Sequence, residues 1–150
     1  MPTNTFTDAS GKKWEARLDF ATVARIKRAV GLKLDDFSKL GPTLAELVVD
    51  DAKAIDAVWL AIEHAADGKS KDDWLAAMTG ELLEKARDAL FAAFKAHVGA
   101  KRAKVVDTAL AKIRSNYDRA IADCVRTIEE IDTDQPPAEV AKRSRLNRKG

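Results

Sequence analysis

The stretch from about Ala100 to Ile131, between Gly99 and the Pro136-Pro137 pair, most constrains how this chain can fold. Val106, Leu110, Ile113, Tyr117, Ala120, Cys124, Thr127 and Ile131 follow alternating steps of four and three, the seam of one long helix. Thr127 and Cys124 weaken that seam, and Ile121, Val125 and Ile128 offer a second, drifting stripe. A helix this long with two apolar stripes must bury one against something. Val106, Leu110, Ile113 and Tyr117 are expected to complete the body or to form a self-association surface. Ile121, Val125 and Ile128 are expected to remain for a partner.

The opposite end of the chain has a different period. In "TFTDASGKKWEARLDF", Trp14, Ala16, Leu18 and Phe20 alternate with Lys13, Glu15, Arg17 and Asp19, the period of two that a strand requires. Phe6 lies in a second β-prone run, and Asp8-Ala9-Ser10-Gly11-Lys12 reads as the turn between them. A two-stranded hairpin is marginal alone, so Phe6, Trp14 and Leu18 are expected to close one end of a core.

Between these ends the pattern is helical. Asp19 or Thr22 starts a helix carrying Val23, Ile26 and Val30, closed by Gly31. "LKLDDFSKL" reads as a turn or two of helix stopping at Gly41-Pro42, with Thr43 and Glu46 forming the capping box of the next helix. Asp50 to Asp67 carries Ile55, Val58, Trp59 and Ile62 on one face, and Ser70 to Asp73 is another capped start. Residues 81–98 are apolar nearly all round, which predicts the central helix. Gly99 makes the corner into the long helix.

The predicted fold is therefore mainly α: a small N-terminal β-hairpin packed on a helical bundle, then a long C-terminal helix and a flexible basic tail. Residues 1–99 form the hairpin and body, 100–131 the long helix, and 132–150 the tail. Charge sets the tail apart. Residues 1–99 carry 14 basic and 16 acidic groups and residues 100–137 seven of each. In residues 138–150, Lys142, Arg143, Arg145, Arg148 and Lys149 face only Glu139. An overall net charge of +2 gives no general drive toward nucleic acid or a membrane surface. No secretion signal or membrane-spanning run is legible. One cysteine excludes an internal disulfide and fits a reducing compartment, so a cytoplasmic protein is expected.

No catalytic, cofactor-binding or metal-binding residue emerges. His64 lacks a second histidine one turn away, and a helix-end position near the dipole explains it better. Cys124 on the seam reads as a buried, inert thiol. The pairs Asp35-Asp36, Asp50-Asp51 and Asp72-Asp73 sit at helix starts, where capping accounts for them. Trp14, Trp59 and Trp74 each lie on the apolar face of their own element, which favours core over an aromatic platform for bases. The basic tail suits phosphate, an acidic protein surface or solvent alone; a nucleic-acid-associated protein using this tail is the secondary expectation, beside a plain structural subunit of a larger particle.

The order of elements carries a resemblance. A "F-x-D-x-x-G-K-x-W" hairpin (Phe6, Asp8, Gly11, Lys12 and Trp14) leads into "TVARIKRAVGLKL". "LAELVVDD", "IDAVWLAI" and "GKSKDDW" come next, then "MTGELLEKARDAL" and a helix ending in Phe94. Over roughly residues 4–115 this resembles the tail assembly chaperones of long-tailed bacteriophages and prophages. The helix beyond Ile113 and the basic tail depart from that pattern. The resemblance implies a non-enzymatic, self-associating protein of the bacterial host cytoplasm, absent from the mature virion. It implies the tape-measure protein as client and the tail-tube subunit as a further partner. It also implies that a longer, frameshifted form can exist.

Overall fold

The computed structural model describes residues 3–132, which are mainly α-helical with a two-stranded antiparallel hairpin at the N-terminal end. The elements are β1 (Thr5–Thr7), β2 (Lys13–Glu15), α1 (Phe20–Val30), α2 (Leu40–Val49), α3 (Asp51–Ile62), α4 (Lys71–Ala76), α5 (Gly80–Val98) and α6 (Ala100–Asp132). Two compact units are distinguished, one ending at Arg114 and the other beginning at Ser115. The first unit takes in the first part of α6, residues 100–114.

The hairpin owes its shape to one carboxylate. Asp8 is buried at the turn, and its Oδ1 accepts from Ser10 N at 2.9 Å, Ser10 Oγ at 2.6 Å and Lys12 N at 3.1 Å. Its Oδ2 accepts from Trp14 Nε1 at 2.9 Å, so the turn and the largest core side chain are fixed together. Gly11 supplies the left-handed backbone, φ +87°, that closes the turn. Lys12 lies over the Trp14 ring at 4.8 Å and pairs with Asp67 at 2.7 Å. The Phe6, Asp8, Gly11, Lys12 and Trp14 pattern is thus one physical unit. Burial raises the Asp8 pKa, but the donors from Ser10, Trp14 and Lys12 outweigh it and hold the carboxyl below its ordinary value.

Phe6 pairs with Trp14 across the ladder, and Trp14, Ala16 and Leu18 are buried as the period of two predicts. Phe20 breaks the series at 84% exposure. Asp19 caps α1, its side chain accepting from Thr22 N at 2.7 Å, and helical geometry takes over before Phe20 can continue the strand's alternation. Phe20 instead meets the edge of the His97 ring at 4.8 Å.

Two further expectations are corrected. Gly41-Pro42 does not stop a helix. A 3-10 turn, Phe37–Lys39, runs straight into α2, and Pro42 lies in the first turn, where its missing N–H costs nothing. Thr43 is accordingly a buried residue inside α2 and caps nothing. Residues 81–98 are not the sole centre. β1 packs on α5, whereas α1, α2, α5 and β2 all pack on α3. The reason is size: Ala54, Ala57 and Ala61 are fully buried on α3 and let neighbouring backbones approach closely.

The buried Trp14 and Trp74 and the half-buried Trp59 form one continuous group. Trp14 meets Trp59 edge-on at 6.1 Å, and Trp59 stacks on Trp74 at 5.9 Å. Arg87, an unexpected core residue, is only 3% exposed. Its Nε donates to the Leu47 carbonyl at 2.8 Å near the end of α2, and its guanidinium pairs with Asp51 and Glu84. Gly99, at φ +87°, turns the chain from α5 into α6. The pairs Lys95–Asp107 at 2.8 Å and Arg114–Asp88 at 2.7 Å hold the two helices antiparallel across that corner.

Candidate functional site

The long helix carries one apolar face along two differently situated halves. At about 100° per residue, Val106, Leu110, Tyr117, Ile121 and Ile128 fall within one broad stripe. In the first half that stripe is core. Val106 is 0% and Leu110 4% exposed, and Ile113 and Ala109 pack half-buried against the same cluster. Val106 and Leu110, expected from sequence to complete the body or to form a self-association surface, are therefore not available for contact with another chain. They complete the body, the first of the two roles the sequence allowed them.

From Ser115 to Ile131 every side chain is exposed. Ile121 is 47%, Val125 49% and Ile128 63% exposed, with Tyr117 and Ile131 continuing the stripe at either end. The three residues assigned from sequence to a partner lie together on this open face. Cys124 is exposed as well, not buried as expected. No described residue covers that turn of the seam, so the 4-3 spacing does not produce burial there. Other large exposed apolar side chains, Phe20, Val49 and Val105, do not form a comparable run in sequence.

Two depressions in the body were not legible from sequence. A groove of about 570 Å³ has Phe6, Phe91 and Leu110 in its lining. Its charges largely answer one another through the Lys95–Asp107 and Arg114–Asp88 pairs, and Arg114 also lies over the Phe91 ring at 5.5 Å. A smaller cleft of about 280 Å³ is lined by Ile55, Trp74, Leu75, Met78 and Leu83. The buried Trp74 Nε1 has no hydrogen-bond partner among the described residues. A lone tryptophan in sequence gives no sign of such an unmatched donor.

The polar side chains singled out from sequence are dispersed. His64 Nε2 makes a 2.9 Å hydrogen bond with the Glu15 carbonyl, and His97 packs on Phe20. Asp36 and Asp50 cap their segments, and Asp73 completes a capping box with Ser70. Hydrogen bonds from Thr22, Ser38 and Ser70 hold the Asp19, Asp36 and Asp73 carboxyls, respectively, below their ordinary pKa, and Lys12 does so for Asp67. Among the described residues, no group of three His, Cys, Asp or Glu side chains is placed to hold a metal ion. Among them too, no helix is long and apolar enough to cross a membrane. The basic set Lys142, Arg143, Arg145, Arg148 and Lys149 lies outside the described residues. Comparison with protein-family models, with curated proteins and with solved structures found no match.

Proposed function

We propose that this protein is a non-enzymatic assembly chaperone of a long-tailed phage or prophage, holding the apolar helical tape-measure protein until tail-tube subunits enclose it. The observation that supports this reading is the open stripe Tyr117, Ile121, Val125, Ile128 and Ile131 on α6. Such a stripe can cover an apolar helical surface by packing side chains into its grooves. A client that exposes long helical surface needs a cover of this kind. The body supplies a folded base, and the second half of α6 supplies the contact.

The test is co-expression of the chain with the tape-measure protein of the same tail module, followed by affinity purification in low and high salt. Recovery of the client by the wild type, persisting at high salt, is expected. Ile121→Lys with Ile128→Lys is expected to abolish recovery while leaving the thermal unfolding of the body unchanged. Recovery undiminished in that double variant would place the contact elsewhere.

A further inference from the structure

The open face of α6 has a charged border, and the border has one sign. Asp118 and Glu129 flank the stripe on one side, while Ala120 and Thr127 flank the other. Both arginines of this half, Arg119 and Arg126, fall on the opposite face, where Arg126 pairs with Asp123 at 2.6 Å. In the body, acids such as Asp35, Glu46, Asp56, Glu63 and Asp67 each pair with a lysine or arginine. No ion pair involves Asp118 or Glu129 among the described residues.

The helix's own electrostatics do not favour this arrangement. The macrodipole favours anions in the first turn and cations in the last. α6 has no acidic residue in its first turn and no basic residue in its last. Residues 100–114 carry five basic groups and one acidic, whereas residues 115–131 carry four acidic and two basic. Of the two acids beside the stripe, Glu129 lies in the last turn and so against the dipole, and neither Asp118 nor Glu129 is matched along the border.

We infer that the open face of α6 is built for an amphipathic helix of a partner protein whose apolar stripe is bordered by lysine or arginine. Such a helix would match both the stripe and its charge. A second copy fits less well, because an antiparallel two-fold pair sets the acidic border against itself. The stripe, reaching from Val125 round to Ile131, is also broader than a two-stranded seam. The chain's own basic segment fits less well too. Its large apolar residues, Val140 and Leu146, are six apart and would fall on different faces of a helix. This inference rests on the proposed docking role of the face and adds the chemistry of what docks.

The experiment uses the full chain and two synthetic, stapled helical peptides with one apolar face, bordered by lysine in one and glutamate in the other. Binding is read by fluorescence anisotropy at low and high salt. The lysine-bordered peptide is expected to bind about tenfold more tightly at low salt, and the gap to narrow as salt rises. Asp118→Lys with Glu129→Lys is expected to reverse the preference. Equal binding of both peptides, or preference for the glutamate border, would overturn the charge assignment and leave the docking face standing. Binding of neither would overturn the docking reading itself, and this inference with it.

Discussion

The two halves of α6 present the same face to different surroundings. In residues 100–114 the stripe ends in Val106 and Leu110, sealed by the hairpin and helices of the body. In residues 115–131 the stripe ends in Ile121, Val125 and Ile128, open to solvent. Nothing in local propensity separates them. What separates them among the described residues is burial, Val106 and Leu110 lying inside the first unit and Ile121, Val125 and Ile128 exposed in the second. Apolar spacing along a helix fixes a face, and only tertiary structure decides whether the face is core or contact.

The contrast breaks most sharply under one substitution made in each half. Leu110→Asp places a charge in a fully packed site and is expected to unfold the body, a loss above about 4 kcal/mol. Ile121→Asp is expected to change stability by less than about 0.5 kcal/mol. Urea denaturation monitored by tryptophan fluorescence reads both, because Trp14, Trp59 and Trp74 all lie in the body. Similar losses at the two positions would mean that the open half is part of the core.

Next in size is Trp14→Ala, expected to cost about 3–5 kcal/mol by emptying a large core site and orphaning an Asp8 oxygen. Ending the chain at Arg114 is expected, by contrast, to leave the calorimetric melting temperature of the body nearly unchanged. A large drop on truncation would show that the body depends on the second half of α6.

Smaller again is Arg87→Ala, at about 1–3 kcal/mol, from the lost packing and the orphaned Leu47 carbonyl. Asp51 and Glu84 are exposed enough to be rehydrated, which limits the loss. Arg126→Ala removes an ion pair on the open half and is expected to be near neutral. The remaining expectation is acid dependence. The Asp8 carboxyl is held below its ordinary pKa of 3.8, so its contribution is complete above that pH. That contribution is lost as pH falls from 3.8 through the lower folded value. Asp8→Asn is expected to flatten this part of the stability–pH curve; an unchanged curve would deny the Asp8 charge any part in holding the turn.

Much of the fold was legible because its signals are local. Asp19, one of the two caps the sequence offered for α1, and Asp50 and Ser70 are the caps, Gly31 and Gly99 turn the chain where expected, and the alternation of Trp14, Ala16 and Leu18 marked the hairpin's buried face. The errors arose where two local signals compete. Phe20 satisfies the strand period, but the Asp19 cap acts first; Thr43 and Glu46 have capping-box spacing, but α2 has already begun at Leu40. What was not legible is tertiary: the joining of the three tryptophans, the burial of Arg87, and the exposure of Cys124. For the candidate site, sequence divided the apolar residues of the long helix into Val106, Leu110, Ile113 and Tyr117 on one hand and Ile121, Val125 and Ile128 on the other; it left open whether the first set completes the body or self-associates, because burial of Val106 and Leu110 depends on residues distant in sequence.

The most direct test of that division is hydrogen exchange by mass spectrometry, on the free protein and on the protein saturated with the tape-measure protein. In the free protein, residues 100–114 are expected to exchange slowly and residues 115–131 quickly, since a short helix without packing is marginal. With client bound, residues 115–131 are expected to become strongly protected while 100–114 stay as they were. Protection that appears only in the body, leaving 115–131 as fast as before, would contradict the assignment of this face to the client.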